Sequence, residues 1–186
     1  MPITDQPRIE LNLHLFFPVT LVAVTLLLAL ALLPTLFPGW QAAGYWLVAA
    51  AVAALDAVAG LVHELGHAVV AVLRGTGVSR ITLYGLAAVR RSSVTTCSKD
   101  QVLIAMAGPL SHLVLAAALW AAWNMLPYDN EPLRVAVGFP ALTNFVAGVF
   151  NLLPVSQLDG RRAARALRLA FARVGPPAVD ALPRSG

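Results

Sequence analysis

Leu61-Val62-His63-Glu64-Leu65-Gly66-His67-Ala68-Val69-Val70-Ala71-Val72-Leu73-Arg74 sets a His-Glu-x-x-His pattern inside a run of Ala, Val and Leu. On a helix, residues four apart lie one above the other on a single face, so both imidazoles can reach one metal ion. Glu64 follows the first histidine directly and is placed to take a proton from an attacking water. On a soluble helix this is the pattern of a zinc peptidase. Here the flanking residues are those of a lipid-facing helix, and that decides the fold.

The whole chain agrees. Its 186 residues are 59% hydrophobic and only 12% charged, with a mean hydropathy of +0.75. Phe16–Leu33 carries no charge and is long enough to cross a hydrocarbon core of about 30 Å. Three further apolar stretches follow. The expected fold is an all-α polytopic membrane protein with about four transmembrane helices, near 15–33, 41–73, 99–126 and 133–153. These spans and a basic segment at 159–174 make one core, 15–174, between a polar interfacial lead at 1–14 and a disordered tail at 175–186. No secretory leader is expected, because the N-terminus has no basic cluster before its apolar run. The single Cys97 excludes an internal disulfide and a cysteine zinc cluster. The pI near 10 does not point to nucleic acid, because the arginines flank apolar helices.

The connections carry the remaining signals. Pro34-Thr-Leu-Phe-Pro38-Gly39 is a turn built from helix breakers, followed by the interfacial aromatics Trp40, Tyr45 and Trp46. The second span is longer than a bilayer needs, so it must tilt, project or break, with Gly60 the soft point. After Gly75-Thr-Gly77, the β-branched stretches Ile81-Thr-Leu and Ala88-Val-Arg-Arg-Ser suggest a short membrane-associated β-hairpin between spans two and three. Gly108-Pro109 predicts a kink in the third span. Arg74, Arg80, Arg90, Arg91 and Lys99 lie between spans two and three. Arg161, Arg162, Arg165, Arg168 and Arg173 follow span four, while the other two loops hold only Arg134. The positive-inside rule puts both chain ends in the cytoplasm. His67 and His63 then lie roughly 10 and 17 Å in from the cytoplasmic end of their helix.

A catalytic zinc takes three protein ligands and keeps one position open. Asp56, His112 and Asp159 are the other acids or histidines near the spans, and Asp159 is the best placed. Span four returns to the same side as span two, and Pro154 breaks the helix just before Asp159. Asn151, eight residues earlier, is a candidate donor to the substrate or its oxyanion. Asp56 shares the His63/His67 stripe and must face the bundle interior or water. It and His112 are candidates for a supporting or gating role.

Three linked motifs resemble the site-2 protease family of intramembrane zinc metalloproteases. They are His63-Glu64-Leu-Gly-His67, Ala107-Gly108-Pro109-Leu, and Asn151-Leu-Leu-Pro154-x-x-x-Leu158-Asp159-Gly160, in the family's order across about 55–170. The resemblance implies one zinc ion per chain held by His63, His67 and Asp159, with Glu64 catalytic and Asn151 matching the asparagine of the last motif. It implies substrates that are single-pass membrane helices cut within the bilayer, and a multi-pass protein of the cell membrane, here a bacterial one. Oligomeric state is left open. Two departures stand out: His112 where the family usually has Asn, and a glycine-poor Tyr84-Gly-Leu-Ala-Ala88. The alternative from another class is a zinc-binding membrane transporter using the same ligands for passage.

Overall fold

The computed structural model describes residues 10–75, 78–83, 88–92, 98–155 and 158–172. Most of the expected N-terminal lead and all of the expected tail at 175–186 lie outside them. The membrane-crossing architecture is all-helical. Four helices are long and apolar enough to span a bilayer: α1 (Phe16–Leu36), α2 (Ala42–Leu73), α3 (Ser98–Met125) and α4 (Glu131–Asn151). A shorter amphipathic helix, α5 (Asp159–Ala172), follows. Side chains such as Leu47 and Val114 are 72% and 69% exposed. A water-soluble domain would not show so many large apolar groups, and lipid is the solvent they suit.

Local chemistry accounts for the helix bounds. α1 continues past Pro34 to Leu36 instead of stopping at Leu33. It does so through a widened π-helical turn, Leu28–Leu32, placed just before the proline that has no N–H for the carbonyl four residues back. Asn130 caps α4, its side chain accepting from the Leu133 amide at 3.1 Å. α2 runs unbroken through Gly60 for 32 residues, about 48 Å. Gly60 is therefore not a break.

Two contacts mark the two ends of the bundle. Trp40 Nε1 donates to Glu131 at 2.8 Å, tying the α1–α2 loop to the start of α4. Arg134, the lone cation of that end, lies 4.1 Å over the Trp123 ring and donates to the carbonyls of Trp123 and Leu126. At the other end Arg74 pairs with Asp100 at 3.5 Å, joining the end of α2 to the start of α3. α3 is the hub, packing on α2, α4 and α5. One apolar cluster (Leu28, Leu33, Val48 and Val52 among its members) joins α1 to α2, and a second (Ala68, Ala71, Ile104) joins α2 to α3.

Between α2 and α3 the chain pairs Val78–Leu83 (β2) with Ala88–Ser92 (β3) antiparallel. The turn expected to close a hairpin, 84–87, lies outside the described residues. Glu10–Leu13 (β1), within the stretch read as a polar lead, pairs parallel with β2, so β2 is the central strand of three. That pairing joins segments about seventy residues apart, and a four-residue strand has too little periodicity to announce it.

Candidate metal centre

The helical period puts His63 and His67 on the inner face of α2, both buried, with buried Glu64 beside them. Asp159, the first residue of α5, reaches the same point from the far end of the chain. His63 Nε2 lies 3.2 Å from Asp159 Oδ2, His67 Nε2 lies 3.1 Å from the same oxygen, and the two nitrogens are 3.1 Å apart. These three groups are the set able to hold one metal ion among the described residues.

Three features place them. Gly160 lies so close to the Leu152 and Leu153 carbonyls that a Cβ would collide with both, so only glycine lets α5 begin there. Gly108 of α3 faces the imidazoles: a Cβ on it would clash with His67 Nε2 and stand 2.7 Å from His63 Nε2. Beyond the kink expected of Gly108-Pro109, Gly108 leaves room at the metal-facing nitrogens. The third is the Ile104 carbonyl, which accepts from His67 Nδ1 at 2.6 Å.

That last bond tests whether a metal suits the site. A carbonyl can only accept, so Nδ1 carries a proton, and in the ring's neutral form Nε2 turns a lone pair toward the cluster. The lone pair faces a carboxylate oxygen and another imidazole nitrogen, each at 3.1 Å. With no proton on either Nε2, such a set is mutually repulsive unless a cation sits between its members. Two imidazole nitrogens and one carboxylate oxygen are donors a zinc ion takes, and a ligand histidine commonly donates its other N–H to a backbone carbonyl. Metal ligation needs Asp159 in its ionised form.

Other expected residues fall differently. Asn151, half-buried, donates to its own helix at the Ala147 carbonyl, 2.9 Å away. Asp56 accepts from the Thr143 hydroxyl at 2.8 Å, on the face shared with Asn144. The His112 ring centroid lies 4.8 Å from that of His63. Arg162, unmarked at sequence level, reaches the second Asp159 oxygen at 3.4 Å.

No family model matches the chain. It is 37% identical over 160 residues to Rip3 of Mycobacterium tuberculosis, a protein named as a zinc metalloprotease, across 83% of this chain and 40% of the relative. It is 31% identical over 134 residues to sll0528 of Synechocystis, named likewise, across 70% of this chain and 35% of the relative. The solved site-2 protease from Methanocaldococcus jannaschii superposes with a TM-score of 0.61 at 25% identity, covering 86% of this chain and 67% of that one. The chain belongs to the site-2 protease family. It is a multi-pass membrane protein and spans about two fifths or less of the length of Rip3 and sll0528. Within the family frame, the departure at His112 falls beside a candidate ligand rather than at the protein's edge.

Proposed function

We propose that this chain is the catalytic core of an intramembrane zinc endopeptidase that cuts transmembrane segments of membrane proteins. The observation that carries the reading is the convergence of His63, His67 and Asp159 on one point, with His67 Nδ1 bonded to the Ile104 carbonyl so that Nε2 is the atom left for a metal. His63 Nε2, His67 Nε2 and an Asp159 oxygen would hold a single zinc ion. A zinc ion so held supplies Lewis acidity, acidifying water and polarising a carbonyl. Glu64 takes the proton of the attacking water and passes it to the leaving amide nitrogen. The new C–O bond forms first, and the C–N bond breaks once the nitrogen has taken its proton, leaving a carboxylate and an amine. Asn151 can exchange its bond to Ala147 for one to the substrate carbonyl oxygen as charge gathers there.

The charge pattern supports an orientation with Arg74 and the α5 arginines in the cytoplasm, and with them both chain ends. β2 and β3 follow directly from the cytoplasmic end of α2, so they lie along the membrane surface near the site. A transmembrane substrate arrives helical with its amides shielded. Adding it as a strand on the outer edge of β3 would hold it extended for hydrolysis.

Glu64→Gln tests the mechanism. The variant should keep its zinc and lose cleavage of a membrane substrate, whereas a transporter using the same ligands would not need this carboxylate as a base. Continued cleavage by the variant would refute the proposed role.

A further inference from the structure

His67 has its outer partner in the Ile104 carbonyl, but His63 has none. Its Nδ1 is buried and without a hydrogen-bond partner among the described residues. With Nε2 committed to a metal, Nδ1 carries the ring's proton. A buried N–H with no acceptor costs roughly 1–3 kcal/mol, so native structures usually supply one or a water.

The neighbouring ring offers an acceptor. Asn144, fully buried on α4, directs its NH2 at the Pro140 carbonyl 2.8 Å away and toward Asp56 Oδ1 at 3.5 Å. Flipping the amide would set its oxygen against both of those acceptors, so the orientation is determined. Its Oδ1 therefore faces His112 Nδ1 at 2.7 Å and accepts from it. That fixes the His112 tautomer: Nδ1 carries the proton and Nε2 is a lone pair. A chain from Asp56 through Asn144 thus sets a bare imidazole nitrogen on a ring whose centroid is 4.8 Å from that of His63. The two rings, tilted at 46° and making no direct hydrogen bond, present one donor and one acceptor.

We propose that a buried water bridges His63 Nδ1 to His112 Nε2, making His112 the positioning residue that orients His63 toward the metal. The water gains a donor and an acceptor, the minimum that holds one inside a protein. An asparagine at 112 could not do the same work. Its amide reaches only where the Nδ1 of His112 stands, and Asn144 claims that position. A glutamine places its amide oxygen near the Nε2 position.

The inference rests on the zinc reading above, and the experiment separates the two. Zinc affinity of the full chain in nanodiscs is measured by chelator competition, with the visible spectrum of the cobalt-substituted protein and thermal unfolding alongside. His112→Asn should weaken zinc binding about tenfold or more and alter the cobalt spectrum, as loss of an outer partner does. His112→Gln should stay within about threefold of the unsubstituted chain. An Asn variant that binds zinc as tightly as the unsubstituted chain overturns the proposal. So does a Gln variant as weak as the Asn variant, since that is what simple loss of ring packing would give. A chain that binds no zinc before any substitution removes the zinc reading, and this one with it.

Discussion

Replacing Gly108 with Ala should empty the metal centre without substituting any ligand. The added Cβ would overlap His67 Nε2 and Cε1 and stand 2.7 Å from His63 Nε2. A zinc ion sits about 2.0–2.1 Å from each imidazole nitrogen, so the methyl group occupies nearly the volume the ion needs. Ordinary contact begins near 3.4 Å, so His63 must retreat by about 0.7 Å and His67 by more. Both rings stand on the same rigid helix, and His67 is also held by the Ile104 carbonyl. Metal–ligand distances tolerate only about 0.2 Å. Affinity should therefore fall at least about 100-fold, or 2.7 kcal/mol. Metal analysis of the purified variant and chelator competition measure this, with thermal unfolding to confirm that the bundle persists. Gly44→Ala is the control: its Cβ would meet only Trp40 at 3.9 Å, ordinary contact, and alanine favours the helix. A Gly108→Ala protein with full zinc occupancy and undiminished affinity would refute the placement of the ion against this glycine.

Asp159→Ala should lower zinc affinity by at least about tenfold and abolish cleavage, since it removes one of three donors; metal analysis reads it directly. Gly160→Ala should destabilise the fold by more than about 1 kcal/mol and weaken zinc binding, because its Cβ meets the Leu152 and Leu153 carbonyls, which are backbone and cannot swing aside. Denaturation and zinc titration check it together. Prolines in Ala88–Ser92 should reduce cleavage of helical membrane substrates more than of unfolded peptides, as paired assays would show. Equal losses would remove strand addition from the mechanism. The same change in Val78–Leu83 should harm the whole sheet, since that strand is central.

Much of the site could be read before any coordinates. The spacing of His63 and His67 is a helical period, and period survives in sequence because it is local. Four long apolar runs announce four helices for the same reason, their lengths being matched to a bilayer. Asp159 was readable by elimination, as one of very few acids able to reach the right side of the membrane. Gly60 misled, since glycine permits a break but does not impose one when neighbouring helices hold the backbone.

What the sequence determined by itself was therefore local chemistry: which segments cross the bilayer, which side chains can bind metal, and which glycines and prolines punctuate the chain. The tertiary structure alone decided which atoms meet. It set Gly108 against two imidazoles, the Ile104 carbonyl against His67, and Asn144 between Asp56 and His112. It also paired Glu10–Leu13 with a strand about seventy residues later. Each of these joins residues on different elements, and the approach of two helices is set by side-chain packing along their whole length. No short pattern encodes that approach, so the lone-pair cluster that calls for a cation becomes visible only when the helices are assembled.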